Sequence, residues 1–235
     1  MCGRFGLGTP EFSETRFGAR ALPELQPELL IPRFNIAPTQ PVLTVVCSKR
    51  LDGARGLKGM TWGLTPLWAA NDRSKPRPIN IQSETLPDRP AYRRLLERKR
   101  CLIPSDGFYE WKRNGSARQP YHIGLADGAI FAFAGVWDAV KMGPEWLVSC
   151  AILTTRPNDL VSDLHNRQPV ILRPQDEELW LSDCADAREL TPLLEPLPAE
   201  EMTIYAVVPL VNNVANEGPE LRQPAEAAPS QPVLL

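Results

Sequence analysis

Hydrophobic positions along this chain fall in short runs that are broken by Pro, Gly and polar turns. Runs rich in β-branched and aromatic residues, bounded by turn residues, are typical of strands. They predict strands at Val42–Ser48, Lys58–Leu64, Gln119–Leu125, Ala129–Val140, Trp146–Thr155, Val170–Leu172 and Thr203–Val208, and a strand–turn–strand unit at Cys101–Trp111. Because most of these strands follow one another through short turns, the pattern predicts a largely antiparallel sheet.

Helical patterns are confined to short segments between the predicted strands. They predict helices at Thr9–Ala21, Arg89–Arg100, Pro157–Leu164, Pro174–Leu181 and Ala185–Leu194. The second of these is expected to start after Asp88 as its N-cap and to present a row of cations to phosphates. These cations are Arg89, Arg93, Arg94, Arg98, Lys99 and Arg100.

The predicted elements indicate an α+β fold. We expect a single domain over residues 1–221, with a mostly antiparallel, curved, barrel-like β-sheet core and peripheral helices. Residues 222–235 are rich in Pro and Ala, so they are predicted to form a disordered C-terminal tail.

Composition narrows the class of protein. Of the 235 residues, 43% are hydrophobic, which is enough for a substantial core, and the 25 prolines favour short strands over long helices. The chain has no apolar run of about 18 residues and no basic-then-apolar start, so no membrane span and no secretory signal are predicted. We expect an intracellular, cytoplasmic protein and a monomer.

The cysteines do not form a metal-binding pattern. The five of them are scattered, no CxxC pair occurs, and only two histidines are present to join them. Structural zinc sites need clustered ligands, so neither a metal site nor a cofactor is expected. Cys47, Cys101 and Cys150 lie in apolar runs and are predicted to be reduced core residues.

Charge is unevenly distributed along the chain. The net charge of −2 argues against bulk electrostatic binding to nucleic acid. Residues 71–118, however, contain 12 Lys/Arg and 6 Asp/Glu, whereas residues 175–235 contain 12 Asp/Glu and two Arg. This predicts one face that attracts polyanions, and the alternative is that the charged runs are only solvated surface. Near the basic stretch, Trp62 is expected in the core, whereas Trp68 is the better candidate for stacking on unpaired bases.

Cys2 directly follows the initiator methionine. Methionine is usually removed before a small second residue, which would leave Cys2 with a free α-amine beside its thiol. Reference pKa values of roughly 7.7–8.0 for the amine and about 8.5 for the thiol leave both groups partly nucleophilic near neutral pH. Such an aminothiol attacks an aldehyde by forming a Schiff base and then closing a thiazolidine ring. The alternative is that Cys2 is an ordinary buried residue of a first strand.

Three other polar residues stand in apolar or turn segments, namely Asn80, Glu110 and His165. A pocket that combined a thiol, an amide, a carboxylate and an imidazole would suit acid–base chemistry on a carbonyl group. Each residue alone is more typical of a structural role, and their spacing does not show that they converge.

Segments from nearly the whole chain resemble the bacterial branch of the SRAP (SOS-response-associated peptidase) family. The matching segments are MCGRF, NIAPT, WGLTPLW, INIQSET, CLIPSDGFYEW, FAGVWD, LHNRQPVIL and VNNVANEGPE. Cys2 together with GFYEW and H-x-R-x-P is a specific combination, whereas any one piece is weak. Members of this family react covalently with abasic sites in single-stranded DNA, so the resemblance implies an SRAP-like fold and this substrate.

The resemblance also implies a role for each matching residue. Cys2 would bond to the ring-opened sugar aldehyde, and Asn80 would position the adduct. Glu110 would transfer protons as the Schiff base and the thiazolidine form, and His165 would assist opening of the sugar. Contacts to the DNA strand would come from Arg4, Trp68, Gln82, Thr154 and Arg167.

Gln82 departs from the family pattern. The family commonly shows Asn-x-Arg-x-Glu-Thr, and Gln82 stands at the position of the arginine. A glutamine offers a neutral hydrogen bond where arginine offers a charge-assisted, bidentate contact to phosphate. The difference predicts weaker or less salt-sensitive DNA binding.

The expected activity is DNA–protein crosslinking at abasic sites, with a peptidase activity that removes Met1, in the hydrolase or lyase class. The expected partner is single-stranded DNA with abasic sites, and the protein is expected to associate with the nucleoid when it is bound to DNA. Whether the replication machinery is a second partner stays open. Two other functions also stay open. An N-terminal-nucleophile cysteine peptidase or amidohydrolase would need a trimmed Cys2 but no basic groove, and a non-catalytic single-strand binder would not need Cys2.

Overall fold

A computed structural model describes residues 2–69, 76–115, 117–183 and 185–225. The strands in these segments are β1 (Phe5–Leu7), β2 (Arg20–Ala21), β3 (Arg33–Ile36), β4 (Pro41–Cys47), β5 (Arg55–Trp62), β6 (Asn80–Gln82), β7 (Arg100–Ser105), β8 (Gly107–Asn114), β9 (Ala117–Leu125), β10 (Phe131–Met142), β11 (Glu145–Thr155), β12 (Gln168–Pro169), β13 (Ile171–Leu172) and β14 (Met202–Ala206). The α-helices are α1 (Ser13–Phe17), α2 (Pro90–Arg98), α3 (Asp159–Ser162), α4 (Glu177–Leu181) and α5 (Ala187–Leu190). None of the helices in the described segments combines the length and apolar character that a membrane crossing needs.

Short 3-10 helices fill many of the connections. They span Pro10–Phe12, Pro27–Leu30, Lys49–Leu51, Leu67–Ala69, Ser83–Thr85, Pro174–Asp176, Thr191–Leu194, Ala199–Glu201, Pro209–Asn212 and Pro219–Arg222. Several of them begin with proline, whose fixed φ suits the first position of a helical turn.

A closed sheet forms the centre of the molecule. β11, β10, β7, β4 and β5 are neighbours in that order, and β5 returns to pair with β11. Most of these pairs are antiparallel, but β5 and β6 run parallel to β11, and β2 runs parallel to β5. The predicted α+β domain with a barrel-like, mostly antiparallel core is therefore confirmed.

A second sheet, in the order β14-β9-β8-β1-β3, packs against the barrel through aromatic side chains. Phe5 of β1 lies edge-on to Trp62 and Phe133, with ring centroids 5.1 and 5.6 Å apart. Phe108 of β8 contacts the same Phe133. Trp62 is fully buried, as predicted. Because buried aromatic pairs are costly to separate, this layer holds β1 and the N-terminal residues before it against the barrel.

The first two helices are shorter than the sequence pattern predicts. α1 ends at Phe17, because Gly18 adopts the left-handed conformation (φ 56°) that commonly terminates a helix. α2 begins at Pro90 with Arg89 as its N-cap, so the prediction of Asp88 as the cap is wrong.

Arg100 is not one of the exposed cations of α2. It belongs to β7 and is buried, and its guanidinium donates to the carbonyl oxygens of Leu96, Trp180 and Ser182. The prediction that Arg100 belongs to a phosphate-binding row is therefore wrong, because its donors are used to join the end of α2 to the segment after α4.

The C-terminal segment continues the domain past its predicted end. Arg222, which was assigned to the tail, donates through both Nη atoms to the Asp106 carboxylate, with an Nη1–Oδ2 distance of 3.0 Å. Pro224 forms a β-bridge with Val207. The fold therefore includes residues 222–225. Some predicted features lie outside the described residues, namely residues 226–235 of the predicted tail, residues 71–75 and 116 of the basic stretch, and Cys184.

His122 is a buried histidine of β9, and it lies opposite Tyr109 of β8, the strand that carries Glu110. Its ring packs between those of Tyr109 and Tyr205, with centroid distances of 5.4 and 5.3 Å. Neither ring nitrogen has a hydrogen-bond partner in the described part of the chain. Burial, assisted by the positive charge of Arg222, lowers the pKa of His122 to about 4, although nearby Asp106 acts in the opposite direction.

We expect His122→Phe to flatten the pH dependence of stability on the acid side. The unfolded chain, with a histidine pKa of about 6.5, binds the proton more tightly than the folded chain. The free energy of unfolding is therefore highest above about pH 6.5, and it decreases by roughly 2–3 kcal/mol as the pH falls towards 4. Urea unfolding at a series of pH values measures this loss, and parallel profiles for the wild type and the variant would contradict the expectation.

Candidate active site

Cys2 lies just before β1, and its side chain is completely buried. Its carbonyl oxygen accepts a 2.7 Å hydrogen bond from Asn80 Nδ2. Its Sγ lies 3.8 Å from the carbonyl oxygen of Arg4. Asn80 is the first residue of β6, which pairs with β11 through Ile152. The barrel therefore supplies the amide that holds the N-terminal segment in place.

Glu110 lies near the same cysteine but comes from the other sheet. It belongs to β8 and is only 5% exposed. β8 pairs with β1, and the Tyr109 N–H donates to the Arg4 carbonyl oxygen at 2.9 Å. The negative charge of Glu110 is close enough to the Cys2 thiol to raise the pKa of that thiol. The structure thus places a buried carboxylate close to the cysteine from a neighbouring strand.

The Cys2 thiol is protonated at neutral pH in this environment. Burial raises its pKa well above the usual value, and the Glu110 carboxylate raises it further. The reference thiol pKa of about 8.5 refers to Cys2 after the removal of Met1, and for that state it stays a prediction. Removal of Met1 would place a positively charged amine on Cys2 itself, and such a charge favours the thiolate.

His165 and Arg167 belong to a second group near the end of β6. His165 Nδ1 accepts a hydrogen bond of 2.9 Å from the Arg167 N–H. Arg167 Nη2 donates to the Thr154 carbonyl oxygen at 2.5 Å. Thr154 is opposite Gln82 in the β6–β11 pair, and its hydroxyl donates to the Ile81 carbonyl oxygen at 3.4 Å. A buried strand end thus positions the loop that carries His165.

The three-residue strand β6 connects the two groups. Asn80 at its start contacts Cys2, and Gln82 at its end lies beside the second group. Among the described residues, no hydrogen bond joins His165 to Cys2 or Asn80. The structure therefore brings Cys2, Asn80 and Glu110 together and places His165 in the adjoining group.

Arg4 is held by a loop from the other end of the chain. Its Nη1 donates to Asn35 Oδ1 at 2.7 Å and to the Val211 carbonyl oxygen at 3.0 Å. Asn35 is buried, and its Nδ2 donates to the carbonyl oxygens of Asn213 and Asn216. Sequence reasoning missed this role of Asn35, because nothing in the two Asn-containing segments shows that they meet. Arg4 thus has an internal structural role, and its contact to DNA stays a prediction.

Arg167 already binds a carboxylate in this structure. Its Nη1 and Nη2 donate to the two oxygens of Glu84 at 2.8 and 2.7 Å. The hydrogen bonds from Arg167 lower the pKa of Glu84, so this carboxylate is ionised at neutral pH. Sequence reasoning did not single out Glu84, although it stands two residues after Gln82 in the INIQSET segment.

Two of the predicted DNA contacts are surface residues. Gln82 is exposed, and the Trp68 side chain is 56% exposed, which agrees with its predicted surface position. Trp68 borders a depression of about 210 Å³ together with Ala91 and Arg94 of α2. An exposed indole beside a guanidinium is an arrangement that can stack on a base and contact its phosphate.

The other thiols in the described segments are structural. Cys101 and Cys150 are free and completely buried, as predicted, whereas Cys47 is free but only partly buried. Burial raises the pKa of Cys101 and of Cys150 well above the usual range, so both are unreactive. No group of three or more potential metal ligands occurs among the described residues.

Comparisons with known proteins agree with this architecture. The sequence profile of the family described as SOS response associated peptidase (SRAP) matches residues 1–214. The chain is 40% identical over 230 residues to the abasic site processing protein YoqW of Bacillus subtilis, covering 94% of this chain and 98% of YoqW. It is 30% identical over 233 residues to the abasic site processing protein YedK of Escherichia coli, covering 95% of this chain and 100% of YedK.

A crystal structure of a Bacteroides thetaiotaomicron protein has the same fold. The TM-score is 0.85 at 24% sequence identity, covering 95% of this chain and 100% of that chain. The profile match and the relatives of nearly equal length establish that the chain belongs to the SOS response associated peptidase (SRAP) family.

Proposed function

We propose that the protein processes abasic sites in single-stranded DNA by covalent capture through Cys2. The observation that carries this proposal is the placement of Cys2, which is bound by Asn80 and lies beside the buried carboxylate of Glu110. The relatives YoqW and YedK are named as abasic site processing proteins, which supports the same substrate here.

The reaction begins when Met1 is removed and Cys2 gains a free α-amine. The amine nitrogen attacks C1′ of the ring-opened sugar, and loss of water gives a Schiff base. The Cys2 sulfur then adds to the same carbon, the thiol proton passes to nitrogen, and a thiazolidine ring closes. Protons move between heteroatoms in each step, and Glu110 is the carboxylate that we assign to these transfers.

Asn80 and His165 take supporting roles in this scheme. Asn80 keeps the Cys2 backbone in position and orients the adduct, because its Nδ2 already donates a hydrogen bond to the Cys2 carbonyl oxygen. His165, held next to Arg167, assists opening of the sugar ring to its aldehyde form. The remaining contacts to the DNA strand come from Arg4, Thr154 and Arg167.

Capture by sulfur protects the strand rather than cutting it. A Schiff base at an abasic site withdraws electrons and promotes β-elimination, which breaks the DNA. Addition of sulfur removes the C=N bond and with it this pathway. The exposed Trp68 favours single-stranded DNA, since an unpaired base is free to stack on it. One chain contains all the proposed groups, so a monomer is sufficient.

The family description also suggests a peptidase activity. In this proposal that activity removes Met1 and prepares Cys2, which puts the protein in the hydrolase or lyase class. The same description favours a second candidate, a cysteine peptidase that uses Cys2 on other proteins. The two candidates differ in their substrate, because only the first requires an aldehyde on a DNA strand.

The test combines Met1-free protein with a short single strand that contains one abasic site. We expect a denaturation-resistant species whose mass is that of protein plus DNA minus one water. Protein with an extra residue before Cys2 keeps the thiol but lacks the α-amine on Cys2, and it should give no adduct. Absence of the adduct with trimmed protein would reject the proposal, and peptide cleavage by the same sample would favour the second candidate.

Gln82→Arg is expected to strengthen binding of the strand and to increase its salt dependence. Gln82 is exposed at the end of β6, so an arginine there is free to contact phosphate. One added contact should steepen the slope of log affinity against log salt by about 0.7. Gln175→Arg, at an exposed position in the acidic part of the chain, is the control. Equal slopes for the wild type and Gln82→Arg would show that the residue lies off the strand path.

A further inference from the structure

Three of the five N–H groups of Arg167 are used inside the protein. Nη1 and Nη2 hold both oxygens of Glu84, and Nη2 also donates to the Thr154 carbonyl oxygen. The Nε atom is buried and has no partner among the described residues. A guanidinium has five N–H groups, so two are left here, the buried one on Nε and one on Nη1, and only the Nη1 group remains for an acceptor outside. A phosphate cannot gain a two-pronged contact while Glu84 stays in place.

Glu84 also stands on the solvent side of this pair. Its side chain is 53% exposed, whereas that of Arg167 is 15% exposed. A strand that approaches Arg167 therefore meets the Glu84 carboxylate first. Carboxylate and phosphate offer the guanidinium the same paired oxygen acceptors, so one can replace the other on the same two N–H groups.

We propose that Glu84 acts as an internal substitute for a DNA phosphate and that a strand binds Arg167 by displacing it. This inference rests on the function proposed above, in which Arg167 contacts the strand. Glu84 neutralises the cation before binding, so the protein binds DNA more weakly, and with less salt dependence, than its cations alone would give. Ligands that cannot present two oxygens do not compete with the carboxylate, which makes Glu84 a specificity-determining residue.

The test measures binding without covalent capture. The probe is a short fluorescent single strand with a tetrahydrofuran abasic analogue, which has no aldehyde, and its anisotropy is followed at several salt concentrations. Glu84→Gln should bind roughly three- to tenfold more tightly at low salt, with a slope steeper by about 0.7. Glu84→Ala, which also loses the neutral hydrogen bond that Gln can make, should show the same gain.

Glu201→Gln is the matched control. Glu201 pairs with Arg173, both side chains are about 40% exposed, and the variant removes the same charge from a different ion pair. Its affinity and slope should equal those of the wild type. Unchanged or weaker binding by both Glu84 variants would overturn the inference and leave Glu84 as a residue that only holds Arg167 in place.

Adduct formation on a true abasic strand, measured with the same samples, separates the two proposals. No adduct with the trimmed wild type would mean that covalent capture itself is wrong. An adduct with the wild type, but no tighter binding by Glu84→Gln and Glu84→Ala, would mean that only the role of Glu84 is wrong.

Discussion

Cys2→Ala should convert the protein from one that protects an abasic strand into one that breaks it. Alanine is also small enough for Met1 to be removed, so the variant keeps a free α-amine and still forms the Schiff base. It has no sulfur to close the ring, and the imine persists long enough for β-elimination. On a denaturing gel the stable adduct should fall below detection, and cleaved strand should accumulate.

The control for this prediction is Cys47→Ala. Cys47 is another free thiol but lies in β4, away from the N-terminal segment, so its loss should leave the adduct unchanged. Borohydride, which reduces an imine to a stable amine, should trap the Cys2→Ala protein on the strand. A stable adduct that forms with Cys2→Ala without borohydride would show that the sulfur of Cys2 does not make the final bond.

Glu110→Gln should slow adduct formation by roughly 10²–10³-fold, which is the effect expected when a positioned proton-transfer group is lost. The amide has nearly the same shape as the carboxylate, so strand affinity should change little. Because the Glu110 charge raises the pKa of the Cys2 thiol, the variant should also have a lower thiol pKa. A slower reaction despite a more readily ionised thiol would be specific to lost proton transfer.

Single-turnover rates on an abasic strand measure the effect of Glu110→Gln. Glu145→Gln, at an exposed position of the β10–β11 hairpin, removes the same charge elsewhere and should react at the wild-type rate. If Glu110→Gln reacts within a few-fold of the wild type, the carboxylate does not transfer protons in the slow step.

Most of the longer strands were predictable because they are bounded by their own turn residues, whereas the short strands β2, β3, β6 and β12 were not predicted. The prediction for Gln119–Leu125 differs from the observed β9 by two residues at one end, and Trp146–Thr155 differs from β11 by one. Closure of the barrel was not predictable, because the parallel β5–β11 pair joins residues that are far apart in sequence. Local pattern contains no information on such a pair.

The candidate site was likewise predictable only in part. Motifs identified Cys2, Asn80 and Glu110, which do lie together in the fold. They did not reveal that burial raises the pKa of the thiol, since desolvation depends on every neighbour in space. The ion pair between Arg167 and Glu84 was also not predictable, because the two residues are far apart in sequence and meet only after folding.

The bond from Arg4 to the segment around Val211 has a consequence for biogenesis. A chain leaves the ribosome with its amino end first, so the hydrogen bond from Arg4 forms only after Val211 has been synthesised. The surroundings of Cys2 are therefore complete only on chains that have been synthesised at least as far as Val211.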